Sequence, residues 1–306
     1  MYKNLEELVA GARSQGPVQI AIAAGHDSDV VAALKQAQSL GLADGIFVGD
    51  AEKIEAMAKE VDFDIPSANV QHEPDPMVAA RKAIGLVRDG KAQLLMKGKI
   101  NTSTLVKAVL DRETGLRGSR LLSQVIVFQV PGFDRLMIMT DAAINIAPTM
   151  AHKADLCRNA IDVAHAIGIE KPNVAMLCAL EFVNPDMPAT VDAAGVMLMN
   201  QRGQLPGAYV EGPIALDVPL SAFAADRKGI DSPLTNNTDI FVTPDIHSAN
   251  ILYRAILYFA KGESGGVVLG AKVPLILLSR AETPETKIAS IAIGILVTRA
   301  QSEAAS

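Results

Sequence analysis

Several polar clusters in this chain stand where a small anionic molecule could be held. Ser279 and Arg280 follow the apolar run 274–278, which has the length of a strand, and precede Thr283-Pro284. That pair reads as a hydroxyl N-cap followed by proline at the first helical position. The two residues therefore fall at the carboxyl end of a buried strand, before a helix whose free N–H groups and positive dipole end favour an anion. The structural alternative is a turn-supporting serine beside a solvated arginine. A second cluster is Lys97-Gly98-Lys99-Ile100-Asn101, where two lysines, a glycine and polar groups meet at another strand end. It has the composition of a small-anion cradle without the GxxxxGK[ST] spacing of a nucleotide loop, and surface charges are the competing reading. Asp141 and Asn145 follow a third strand, with loop-stabilising Asx roles as the alternative, and Asp245 follows a fourth. His26 lies in the loop after the first strand, either facing a ligand or facing solvent.

The elements that must position these groups alternate. Strands are predicted at 17–23, 45–48, around 70, 93–96, 174–179, 209–210, 239–242, 267–269 and 274–278. Helices are predicted over 30–40, 51–60, 77–89, 105–110, 148–167, 190–200, 247–259 and from 284 onward. This spacing specifies an α/β layer fold with a parallel sheet. The runs 123–130 and 136–140, joined by Pro131-Gly132-Phe133-Asp134, predict a hairpin. The segment 221–238, rich in Gly, Asn and Asp, reads as a mobile surface element. From 288 to 297 the last helix is apolar on nearly every face, which predicts burial on several sides. The change of texture places a boundary near 122 and a return near 265. The expected organisation is a discontinuous first α/β domain, 1–122 plus 265–306, and an inserted second one, 123–264, with a cleft between them where a small molecule binds.

Composition narrows the classes. At 306 residues with 49% hydrophobic content, the chain can bury a substantial core. Two cysteines, Cys157 and Cys178, are too few for a disulfide framework and predict a reducing, cytoplasmic setting. The charged N-terminal stretch does not read as a secretory signal, and no apolar run has membrane-spanning length. A formal charge of −6, no basic block, no Trp and 4% aromatics argue against nucleic acid. A phosphorylated small molecule stays compatible, because one or two cations and backbone N–H groups suffice to hold it. Apolar faces on many helices predict a homo-oligomer.

Six blocks together carry a resemblance that none carries alone: MKGKINTSTLVKAVL (96–110), VPGFDRLMIMTDAAINIAP (130–148), VNPDMPATVDA (183–193), EGPIALD (211–217), VTPDIHSANILYRAI (242–256) and LLSRAETPETKIASIAI (277–293). In this order they resemble the phosphate acetyl/butyryltransferase family, and more closely its butyryl branch, over almost the whole chain. The resemblance implies a two-domain fold similar to the isocitrate/isopropylmalate dehydrogenases, acyl-CoA and inorganic phosphate as substrates, no metal and no tightly bound cofactor. The implied reaction converts acyl-CoA and phosphate reversibly into acyl phosphate and free CoA through an oxyanion intermediate. It assigns Ser279 as hydrogen-bond donor near the reacting carbonyl and Arg280, with its planar fork, to phosphate. The family's third residue, an aspartate acting on the CoA thiol, falls at Thr286 here, so the base is open, with Glu285 as first candidate and Glu282 nearby. Lys97, Gly98, Lys99 and Asn101 match a block assigned to phosphate or the CoA pyrophosphate. Asp245 and Asn250 are polar candidates from the other domain, with Asp141, Asn145 and Thr286 as further substrate contacts and His26 without a role.

Two rival readings stand beside it. A metal-dependent decarboxylating hydroxy-acid dehydrogenase on the similar fold would need Asp141, Asp217 and Asp245 to converge on a divalent ion, and the chain has no GxGxxG. A non-catalytic acyl-CoA or acyl-phosphate binding protein would fit the missing aspartate.

Overall fold

The computed structural model describes residues 1–277 and 282–305. In chain order its elements begin with α1 (Leu5–Ser14), β1 (Val18–Ala23), α2 (Ser28–Ser39), β2 (Ala43–Gly49), α3 (Ala51–Glu60), β3 (Val70–His72), α4 (Pro76–Arg88), β4 (Leu94–Lys97) and α5 (Thr102–Val109). The chain continues with β5 (Ser123–Gln129), β6 (Met137–Thr140), α6 (Met150–Ala166), β7 (Asn173–Leu177), α7 (Pro188–Gln201) and β8 (Tyr209–Ile214). The rest comprises α8 (Asp217–Leu220), α9 (Ala222–Lys228), β9 (Ile240–Val242), α10 (Ile246–Tyr258), β10 (Glu263–Leu269), β11 (Leu275–Ile276) and α11 (Pro284–Ala305). Two compact units result: Met1–Leu5 with Leu121–Ser264, and Glu6–Arg120 with Gly265–Ser306.

In the unit Glu6–Arg120 with Gly265–Ser306, five strands run parallel in the order β3-β2-β1-β4-β11. Their buried side chains, among them Ile20, Ile22, Phe47, Leu94, Leu95 and Met96, form the core. Local signals delimit the helices. Asp27 caps α2 by accepting from the N–H groups of Asp29 and Val30, and Asp75 caps α4 with Pro76 behind it. Thr283 starts α11, its hydroxyl taking the Thr286 N–H at 3.3 Å. Ile288, Ala289, Ile291, Ala292, Ile293, Ile295, Leu296 and Val297 of α11 are all buried, as its apolar run requires.

The unit Met1–Leu5 with Leu121–Ser264 has the strand order β5-β6-β9-β7-β8. The β5–β6 pair is the expected antiparallel hairpin and the remaining pairs are parallel. Helix α6 begins at Met150 under the cap of Thr149, so Pro148 precedes the helix instead of opening it.

Two sequence expectations need correction. Residues 221–238 are not one surface element: Ala222–Lys228 is helical, capped by Ser221 and ended by Gly229 at φ +66°, and Leu234 and Thr238 are fully buried. One leucine anchoring a polar stretch leaves no periodic signal. The strand expected at 267–269 also starts earlier, at Glu263, with Gly265 and Gly266 inside it. A Cβ at Gly265 would stand 2.7 Å from the Ala289 carbonyl carbon. Glycine is there to admit α11 and not to turn the chain.

Candidate functional site

Strand order in the unit Glu6–Arg120 with Gly265–Ser306 decides where its polar loops gather. Chain connection runs outward from β1 to β2 and β3 on one side, while β4 and β11 lie on the other. The gap between β1 and β4 is thus a topological switch point, and loops leaving the strands' carboxyl ends there open a crevice. The loop after β4 carries the Lys97 cluster. Gly98 N–H donates to Ala23 carbonyl oxygen and Lys99 N–H to that of Ala24, both at 2.8 Å. A Cβ on Gly98 would collide with the Ala24 carbonyl oxygen, so the residue type follows from this backbone approach. Lys97 Nζ folds back on the carbonyls of Gly98 (3.2 Å) and Ile100 (3.4 Å), and Lys99 is exposed. Asn101 is the N-cap of α5, yet its side chain makes no capping bond. Thr104 and Leu105 N–H bond to its backbone oxygen instead.

These four residues line one pocket of about 370 Å³, together with Asp75, Pro76, Met77, Ile100 and Thr104. The starts of α4 and α5 both face it, but they differ electrostatically. Asp75 spends its carboxylate on the N–H groups of Met77 (2.9 Å) and Val78 (2.8 Å), whereas the start of α5 keeps its positive end beside the Lys97–Lys99 loop. The arrangement can hold a phosphate-sized anion.

His26 is not solvent-facing. It is 8% exposed, its Nδ1 accepting from Asp50 N–H at 3.4 Å. Burial, then the nearby Lys53, lower its pKa below 6.5.

Ser279 and Arg280 lie outside the described residues. What flanks them is described. Ile276 of β11 pairs in parallel with Met96 of β4, so the chain leaves β11 at the sheet edge from which the Lys97–Asn101 loop leaves β4. On the far side, Glu285 is exposed in the first turn of α11, with no hydrogen bond or ion pair among the described residues. Thr286 is 9% exposed, its hydroxyl 3.3 Å from that of Thr283. Next to it stands a pair that the sequence reading passed over: Lys287, buried, places Nζ 2.7 Å from Asp29 Oδ1 at the start of α2. A lysine directly before the apolar run 288–297 was the available signal.

In the other unit, Asp141, Asn145, Asn250 and Asp245 gather at the carboxyl ends of β6 and β9. Asp141, 2% exposed, accepts from the N–H groups of Ala143, Ile144 and Asn145 at 3.0–3.1 Å and from Asn145 Nδ2 at 2.6 Å. Burial pushes its carboxyl pKa up, against those hydrogen bonds. Asn145 Nδ2 also donates to Leu122 carbonyl oxygen, and Asn250 Nδ2 to that of Ala142. Asp245 caps α10 through Ser248 N–H at 2.9 Å, and that bond holds its pKa low. These contacts tie the loop to its own backbone and to α10. They do not make a metal site: among the described residues no three His, Cys, Asp or Glu side chains are grouped to hold an ion. Asp217 instead pairs with Lys228 at 2.7 Å. The donor set that the dehydrogenase reading needs is not assembled.

The comparison with known families favours one of the remaining readings. Residues 75–295 match the family described as phosphate acetyl/butaryl transferase. The chain belongs to the phosphate acetyl/butyryltransferase family. Within that family, the phosphate butyryltransferase of Clostridium acetobutylicum is 41% identical over 297 residues, 97% of this chain and 99% of the relative. A phosphate acetyltransferase of Thermotoga maritima is also 41% identical, over 94% of this chain and 98% of the relative. The crystal structure of a branched-chain phosphotransacylase from Enterococcus faecalis V583 superposes with a TM-score of 0.78 at 31% identity, covering 92% of this chain and 99% of that one.

Proposed function

We propose that this chain transfers a short acyl group reversibly between CoA and inorganic phosphate. Family membership over nearly the full chain is the observation that carries the reading. In the forward direction a phosphate oxygen attacks the thioester carbonyl, the oxyanion collapses, the C–S bond breaks, and the departing CoA thiolate takes its proton from the conjugate acid of the group that deprotonates the thiol in reverse. Ser279 is proposed to donate to the carbonyl oxygen and Arg280 to grip phosphate with its bidentate fork. Lys97, Gly98, Lys99 and Asn101 are proposed to hold phosphate or the CoA pyrophosphate. The parallel β4–β11 register supports placing them in one site with Ser279 and Arg280. Glu285 is proposed as the base on the CoA thiol, with Thr286, Asp141, Asn145, Asp245 and Asn250 as polar substrate contacts. The reading includes an isocitrate/isopropylmalate dehydrogenase-like fold of two domains, 1–122 with 265–306 and 123–264, with a cleft between them. A homo-oligomer in the cytoplasm completes it.

The test is release of free thiol from acetyl-, propionyl- and butyryl-CoA on addition of phosphate, without metal or nicotinamide. Phosphate-dependent thiol release with at least one acyl group is expected. Silence with all three rejects the transferase and leaves a binding protein. Arg280→Ala is expected to raise the phosphate KM at least tenfold while CoA binding persists, and an unchanged phosphate KM removes Arg280 from the site.

A further inference from the structure

The unit Met1–Leu5 with Leu121–Ser264 contains two adjoining depressions that acyl transfer does not call on. The first is a cavity of about 190 Å³ walled entirely by apolar side chains, among them Phe128, Met137, Met139, Phe241, Leu252 and Ile256. Interiors of this density seldom leave voids larger than a water, and a dry apolar cavity of about 150 Å³ already accepts benzene. The second is a polar groove of about 620 Å³ whose charged lining is Lys3, Lys261, Glu263 and Asp134. Val130 and Phe133 line both, so they share a wall, and Phe133 is 40% exposed there.

The groove is not a second copy of the anion pocket. Glu263 already accepts from Gln129 Nε2 at 2.7 Å, and Gln129 Oε1 accepts from Leu5 N–H at 2.9 Å. Lys261 is exposed and has no ion pair among the described residues. The cavity's far edge is set by Met137 at the start of β6 and Ala260 just past the end of α10, and its lining reaches Met139, two residues before Asp141, and Leu252, two residues after Asn250.

We propose that cavity and groove form one binding site for an aliphatic monocarboxylate. The tail, about six carbons by comparison with the benzene-sized cavity, passes Phe133 into the apolar cavity, and the carboxylate rests in the groove toward Lys261. Asp134 and Glu263 keep the head-group preference modest, so the tail dominates recognition. This inference does not rest on the acyl-transfer reading.

Calorimetry on the intact protein with hexanoate, and with 1-hexanol as a head-group control, tests it. One hexanoate per chain is expected, undisturbed by saturating CoA and phosphate. Ala260→Phe, which fills the cavity from its exposed edge, should weaken binding at least tenfold without moving the thermal midpoint, and Leu252→Phe, earlier on the same helix face, should weaken it likewise. Lys261→Gln should weaken hexanoate a few-fold and leave hexanol unchanged. No binding, binding unaltered by both filling variants, or displacement of hexanoate by CoA overturns the proposal.

Discussion

At the scale of single residues, Asp141 sets two forces against each other. Its burial favours the neutral acid, while four donors favour the carboxylate. Asn at this position keeps one acceptor but turns an amide toward Asn145, leaving buried donors face to face. Asp141→Asn is therefore expected to cost about 1–3 kcal/mol in urea unfolding at neutral pH, although it removes a buried charge. An unchanged midpoint would show that desolvation offsets the bonds. His26 gives a pH signature of opposite chemistry. Burial lowers its folded pKa below 6.5, so the folded state resists protonation. Its contribution is complete above that value and is lost as the pH falls toward the lowered one. Urea midpoints at pH 7.5 and 5.5 should draw closer together in His26→Gln than in the parent.

Elements explain why some polar residues are where they are. The Lys97–Asn101 loop owes its course to Gly98, whose missing side chain lets it run against Ala23 and Ala24. Gly98→Ala should cost about 1–3 kcal/mol through forced backbone shifts. It should also raise the CoA KM if the pocket beside it holds an anionic part of CoA. A destabilised protein with unchanged KM would confine Gly98 to folding. The start of α11 is tied to the start of α2 by Lys287 and Asp29, and the tie is asymmetric: the Lys287 side chain is 7% exposed and that of Asp29 43%. Asp29→Ala strands a buried ammonium and should cost about 2–3 kcal/mol, whereas Lys287→Met returns Asp29 to water and should cost less than about 1 kcal/mol. Equal losses from the two variants would refute the asymmetry.

For the whole molecule, burial governs the thiols. It pushes Cys157 up to about 12 and Cys178 to about 11, so neither is a ready nucleophile. Ellman's reagent should find almost no rapidly reacting protein thiol in the native state and two after denaturation. A fast native thiol would contradict the burial, and it would also raise the background of the CoA-release assay. No helix among the described residues is long and apolar enough to cross a membrane.

Secondary structure was legible in the sequence because its signals are local. Asp27 and Asp75 as caps, Thr283-Pro284 and the apolar runs of β1, β4 and α11 each act within one turn or one strand. The Lys97–Asn101 cluster was legible for the same reason, and family membership was legible in six ordered blocks. Residues with distant partners were not. Lys287 meets Asp29 across 258 positions, Asn250 reaches the Ala142 carbonyl across 108, and Gly265 is small because Ala289 packs on it. No local pattern encodes such pairings. The sequence by itself determined most strands and helices, though not α1, α8 or α9, and which family the chain belongs to. Tertiary structure alone decided that β4 and β11 leave the sheet at one edge, that His26 is buried, and that Asp141 holds its own loop. Side-chain burial and long-range hydrogen bonds exist only after the strands have chosen their neighbours.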